Sequence, residues 1–270
     1  MKPYLAILAA RFRTLLQYRA AAAGGIFTQT FFGLMRIMIL EAFYRSSAQA
    51  QPLAMSQMVG YVWLGQATFA MFPWNTDPDV RESVRTGNVA YELCRPLGLY
   101  ALWFSRTLAW RIAPMLLRVL PMAVLAMVIL PLVGLEEWQL RPPGLAAGAA
   151  WLVAMLAALL LSCALTTLMN ISMLWTVSGD GIATLGGGII ALLGGLIIPL
   201  QLFPDWAQPF VYALPFAGVL DLPARLYTGN IAPAGLVWVL AHQLAWTAIL
   251  IAAGRLALAR GTRRIVVQGG

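Results

Sequence analysis

Residues 142–204 read PPGLAAGAAWLVAMLAALLLSCALTTLMNISMLWTVSGDGIATLGGGIIALLGGLIIPLQLFP, and along them the chain carries one formal charge, Asp180. A stretch this apolar lies in lipid. As helix its 63 residues reach roughly 95 Å, about three times the ~30 Å hydrocarbon thickness of a bilayer. One crossing cannot use them up. Ser178-Gly179-Asp180-Gly181 is the one polar knot in the stretch; glycine permits a tight turn there and an aspartate prefers the headgroup region. The reading is a helical hairpin.

Composition carries that reading to the whole chain. Of 270 residues 61% are hydrophobic and 10% charged, where a soluble domain carries about a quarter charged residues. Eighteen basic residues against ten acidic ones could suggest nucleic acid, but they cluster beside apolar spans and read as topology signals, so no nucleic-acid partner is expected. Cys94 and Cys163 lack CxxC spacing or a neighbouring histidine, which supports neither a disulfide framework nor a zinc site. Lys2 opens the chain as a signal peptide would, yet Arg11 and Arg13 interrupt the first apolar run. Ala48-Gln49-Ala50 has the small-x-small pattern of a cleavage site, but the run before it is long and contains Arg36. Cleavage is expected at neither place.

Six spans follow: about Ala20 to Tyr44, Met58 to Trp74, Ala101 to Leu132, Leu145 to Thr176, Gly181 to Leu202 and Ala232 to Leu258. The fold class is an all-α polytopic membrane protein of one domain, 1–270. Arg106 and Arg111 sit in the first third of span three, so its first turns are expected in water and its lipid-buried part from Ile112 onward. One side holds Lys2, Arg11, Arg13, Arg19, Arg81, Arg85, Arg95, Arg260, Arg263 and Arg264; the other holds Arg45, Arg141 and Arg225. That asymmetry places both termini in the cytoplasm. Residues 1–19 read as an interfacial helix, with Leu5, Leu8, Phe12, Leu15 and Leu16 on one face and Arg11, Arg13 and Gln17 off it; a plain extension of span one is the other reading.

Between spans two and three, Asn75 to Gly98 holds Asp77, Asp79, Glu82, Glu92, Arg81, Arg85 and Arg95. Asp77-Pro78 looks like a helix start, Val80, Val84 and Val89 supply apolar contacts, and Arg95-Pro96 ends the element. A short helix over 77–97 is expected. It is either a solvated connector or a docking surface, and its length favours docking, since spans can be joined by far fewer residues. On the opposite side, 199–230 is too proline-rich to span twice and too apolar for water, so it reads as interfacial or re-entrant short helices, with Trp206, Tyr212 and Tyr227 in an interfacial belt.

Intramembrane charge is scarce. Arg36 and Glu41 lie toward the outer end of span one, and Arg111 and Arg118, seven residues apart, share a face that could meet anionic headgroups or an anionic substrate; snorkelling or a local ion pair is the plainer reading. Gly186-Gly187-Gly188 and Gly194-Gly195 read as helix packing rather than a phosphate cradle, because no lysine follows. There is no GxxxxGK[ST], and the single histidine, His242, has no identifiable nucleophile beside it. It reads as a buried, hydrogen-bonded side chain.

Thr86-Gly87-Asn88-Val89-Ala90-Tyr91-Glu92-Leu93-Cys94-Arg95-Pro96-Leu97, the stretch from Ser178-Gly179 to Pro199-Leu200-Gln201-Leu202-Phe203-Pro204-Asp205-Trp206, and Leu214-Pro215-Phe216 resemble a bacterial subfamily of ABC-2 family permeases, the membrane subunits of type-2 ABC transporters. The resemblance covers nearly the whole chain. It implies a homodimer or heterodimer with a related permease in the bacterial inner membrane, docking two copies of a cytosolic ATPase. ATP and Mg would belong to that partner, with no cofactor, metal or catalytic residue in this chain. It implies a coupling helix carrying Asp79, Arg81, Glu82, Arg85, Asn88, Glu92 and Arg95, and an outer segment marked by Pro199, Phe203, Pro204, Trp206, Pro215 and Phe216. An exporter of an amphipathic drug, lipid or glycan is the expectation. An ion-coupled secondary transporter is the alternative, which the absence of internal repeats disfavours; an intramembrane enzyme would need a catalytic cluster that is not evident.

Overall fold

The computed structural model describes residues 2–46, 51–176 and 180–264, so the middle of the expected hairpin turn, Ser178-Gly179, and the small-x-small site at 48–50 lie outside the described residues. In chain order, α1 (Lys2–Leu15) leads into α2 (Arg19–Ser46), followed by α3 (Met55–Ala67), α4 (Pro78–Arg85) and α5 (Val89–Leu93). Then α6 (Leu99–Val124), a π-helical turn (Leu125–Ile129) and α7 (Leu130–Leu132) form one continuous rod. After it come α8 (Leu145–Ser172), α9 (Asp180–Leu193), α10 (Gln208–Ala213), α11 (Asp221–Thr228) and α12 (Leu236–Gly261).

Four of the six expected spans are helices long and apolar enough to cross a bilayer: α2, the 99–132 rod, α8, and α12 with its leading turn. The other two are shorter than the sequence suggests. α3 has 13 residues and α9 has 14, about 20 Å each against ~30 Å of hydrocarbon. α9 stops because Gly195 takes a left-handed φ of 84°, letting Leu196 N–H bond to Ala191 O at 3.0 Å and Gly195 N–H to Leu192 O at 3.3 Å. This is a glycine-terminated helix end inside an apolar run. The Leu196 and Ile197 carbonyls just beyond it accept hydrogen bonds from Arg36 of α2, so that charge in span one serves a broken helix. Glu41 pairs instead with Arg45, at 2.5 Å.

The π turn in the rod has a similar local cause. In the π register the Ala126 carbonyl looks to residue 131, which is proline and has no N–H. Leu140 N–H supplies the bond instead, at 2.9 Å, and pins the linker back against the rod.

α8 is the central helix: 72% of its most apolar window is buried, against 17% for α2 and for the rod. α3 packs among α2, α6 and α11 with all residues from Met58 to Ala67 buried, and Gly187 brings α9 so close to the chain at Trp74 that a Cβ would stand 2.4 Å from the Trp74 carbonyl oxygen. That close approach is the small-residue packing the glycine run suggests. Large apolar side chains, among them Phe27 and Phe31 of α2, Leu120 of α6 and Trp238 of α12, cover the outside.

The segment after α9 folds back into the bundle. Gln243 donates through one nitrogen to Gly218 O at 2.8 Å and to Ala154 O at 3.1 Å. Ala154 lies nine residues into α8 from Leu145, about 14 Å along the helix. His242 contacts Leu214 O at 3.1 Å, in keeping with a hydrogen-bonded histidine.

Candidate functional site

The charged insertion between α3 and α6 is two short helices, not the single one that the spacing over 77–97 predicts, because Gly87 adopts φ 75° and breaks the run. α4 begins as the sequence indicates. The Asp77 carboxylate accepts from Asp79 N–H at 3.0 Å, and Pro78 fills the first helical position, where a missing N–H costs nothing. Val80 and Val89 turn inward onto Leu99, Leu102, Trp103 and Leu258, so α4 and α5 are seated by a small apolar core of their own.

Asp77 does more than cap. It is fully buried and takes two hydrogen bonds from the Arg11 guanidinium of α1, at 2.5 and 2.7 Å, while its own N–H donates to Asn170 Oδ1 of α8 at 2.9 Å. Arg11 also pairs with Asp79 at 2.9 Å. At the other end of the insertion, Gly98 N–H donates to the Tyr4 hydroxyl of α1 at 2.9 Å. The amino-terminal helix therefore fastens the insertion at both ends.

What faces outward is a compact set. Asp79, Glu82, Arg85, Asn88 and Arg95 are exposed, with Glu82 and Arg85 paired at 2.8 Å. Arg81 turns back to donate to Thr76 Oγ1 at 2.8 Å. Glu92 is the exception among the residues expected on this face. It is buried, accepting from Trp103 Nε1 at 2.8 Å and paired with Arg106, so it holds α5 to α6 rather than meeting a partner. Arg106 and Arg111 accordingly do not project into water. The Arg111 side chain is buried and donates to Asn75 O and Thr166 Oγ1, both at 3.1 Å, over the Trp110 ring. Both of these bonds come from one terminal nitrogen and end inside the protein, whereas Arg118 rests its guanidinium on Gly25 of α2, where a Cβ would come within 2.4 Å.

Arg11, Asn170 and Tyr91 escape sequence reading. Arg11 looks like one more basic topology residue, and Asn170 like a stray polar group in an apolar span. Tyr91, 74% exposed beside Glu92, had a usable signal: an aromatic off the buried face of a water-side helix.

In the opposite segment the predicted markers divide. Pro199 and Pro215 are buried, Phe203 and Phe216 are half-buried, and Pro204 and Trp206 are exposed. The node of this region is Asp221, which no motif singles out. It is fully buried, accepts from the Tyr61 hydroxyl at 2.9 Å and from Leu200 N–H at 3.2 Å, and stands 4.0 Å from Arg225. It ties α11 to α3 and to the chain leaving α9.

A multi-helix membrane bundle with a tethered, outward-facing charged insertion and a folded-back segment before its last long helix matches, over residues 31–269, the family described as ABC-2 family transporter protein. The chain belongs to that family. No curated protein matches it. As an ABC-2 permease it is the membrane component of an ABC transporter, a multi-pass protein whose kind associates with an ABC ATPase. The α4–α5 face of this ABC-2 permease is charged and turned outward, with Asp79, Glu82, Arg85, Asn88 and Arg95 exposed.

Proposed function

We propose that this permease moves an amphipathic compound out of the cell, driven by two copies of a separate cytosolic ATPase that dock on α4 and α5. Two permease chains, identical or related, form the path in the bacterial inner membrane, with both termini cytoplasmic. ATP and Mg sit on the partner. Closure of the ATPase pair pushes on the α4–α5 insertion, and because Arg11, Asn170 and Glu92 tie the insertion to α1, α8 and α6, the push reaches helices rather than a loose loop. The observation that carries the reading is this rigid seating beneath an exposed mixed-charge face. A mere connector needs neither.

Reversing both charges with Glu82→Arg and Arg85→Glu places like charges against a partner face selected for the original pair. The expected result is at least a tenfold drop in capture of a co-expressed ATPase carrying GxxxxGK[ST], about 1.4 kcal/mol, with the variant still inserted and stable. Capture and transport undiminished in that variant, or transport with no ATPase present, would overturn the docking role.

Orientation has its own test. Cys94 is exposed, so the background carries Cys94→Ser. A membrane-impermeant maleimide is expected to label Asp205→Cys in intact cells and Asn88→Cys only after permeabilisation. The opposite pattern would invert the topology.

A further inference from the structure

We propose that a cleft between α1, the start of α6 and the end of α12 binds an anionic phospholipid of the surrounding leaflet. The cavity is about 260 Å³ and is walled by Tyr4, Leu5, Tyr100, Phe104, Ile251 and Arg255. Tyr100 and Phe104 stack with centroids 6.2 Å apart, giving a flat aromatic wall, and Leu5 and Ile251 continue it with aliphatic surface. A wall of this kind takes a hydrocarbon chain.

Arg255 supplies the other half of an amphiphile site. Its Cζ stands 5.7 Å over the Tyr100 ring, the side chain is exposed, and among the described residues no carboxylate pairs with it. The Tyr100 hydroxyl is buried without a hydrogen-bond partner among those residues. Arg255 lies six residues before Gly261, the end of α12, about 9 Å along the helix, and α1 lines the same cleft with Tyr4 and Leu5. That depth suits a headgroup rather than the bilayer centre. A guanidinium with free donors at a membrane interface selects a phosphate with net negative charge, and the aromatic wall beneath it excludes a purely hydrophilic anion as the preferred occupant. The Tyr4 side chain lines this cleft and also takes the hydrogen bond from Gly98, so the lipid would sit against the joint that holds the α4–α5 insertion. The inference does not depend on what the permease transports.

The test is lipid titration of the delipidated full chain in detergent, read as bound lipid by native mass spectrometry, with phosphatidylglycerol and phosphatidylcholine compared. The wild-type chain is expected to prefer phosphatidylglycerol. Arg255→Gln should weaken that lipid about fivefold, the effect of one basic residue at a membrane surface, and leave phosphatidylcholine unchanged, whereas Arg255→Lys should keep the preference. Ser105→Trp, which fills the cleft from its wall, should weaken both lipids, and melting curves for each variant separate loss of binding from loss of fold. Equal binding of the two lipids by the wild type, phosphatidylglycerol affinity unchanged in Arg255→Gln, or displacement of the lipid by equimolar inorganic phosphate would each overturn the proposal.

Discussion

Asp77→Ala is expected to release the α4–α5 insertion from the membrane bundle and abolish ATPase-driven transport while leaving the long helices inserted. The substitution removes the α4 cap, a loss of about 1 kcal/mol, and strips Arg11 of two short hydrogen bonds to a fully buried carboxylate. Breaking a buried ion pair from one side costs about 3–5 kcal/mol. Here the lower end applies, because Arg11 is 13% exposed and keeps Asp79 as a second partner. Amide hydrogen exchange across 78–93 reads the effect directly: protection there should fall at least tenfold, with α8 protection retained. Asp77→Asn keeps a capping oxygen and one acceptor for Arg11, so it should fall between. Exchange and coupled ATPase activity identical to wild type in Asp77→Ala would remove any mechanical role from the α1 tether.

Asp221→Ala should be still more damaging, because it strands three groups at once. The Tyr61 hydroxyl, the Leu200 N–H and the Arg225 guanidinium all look to this one carboxylate. A buried donor left without a partner costs about 1–3 kcal/mol, more when charged, and no water is at hand to replace it in a bilayer. The folded-back segment should come loose from α3, seen as rapid exchange over 199–228 and loss of monodisperse protein in mild detergent. Asp221→Asn retains an acceptor for Tyr61 and Leu200 and forfeits the attraction to Arg225, so most of the protein should survive it. If Asp221→Ala were as stable as Asp221→Asn, the node would contribute nothing beyond packing.

The two sites differ in how far sequence exposes them. Asp77-Pro78 announces a helix start through local chemistry, and the run of alternating charge behind it announces exposure, so the outward charged face is mostly legible. Glu92 is not, since a glutamate in a charged stretch looks like its neighbours until Trp103 and Arg106 are brought to it from α6. Arg111 misleads for the same reason: an arginine in an apolar span suggests a functional charge, and only the approach of Asn75 and Thr166 shows where its donors go. Asp221 carries no local signal at all. It stands 160 residues from Tyr61 in the chain.

Sequence alone determined that the chain is a helical membrane protein, and it raised the expectations of a turn near Asp180, of basic loops on one side, and of a 199–230 segment that neither spans nor dissolves. Each of these follows from transfer free energy summed over neighbouring residues, a quantity that needs no partner. Tertiary structure decided which helix lies at the centre. The 99–132 rod and α8 have the same mean hydropathy, 2.3, yet 17% of one window and 72% of the other is buried. Hydropathy measures the preference for leaving water, and in a bilayer lipid and protein satisfy it equally well. The choice between them falls to close packing at small buried residues of α8 such as Ala154 and Ala158 and to its few polar side chains, Ser162 with the Met71 carbonyl and Asn170 with the Asp77 N–H, across distances in the chain that no local pattern spans.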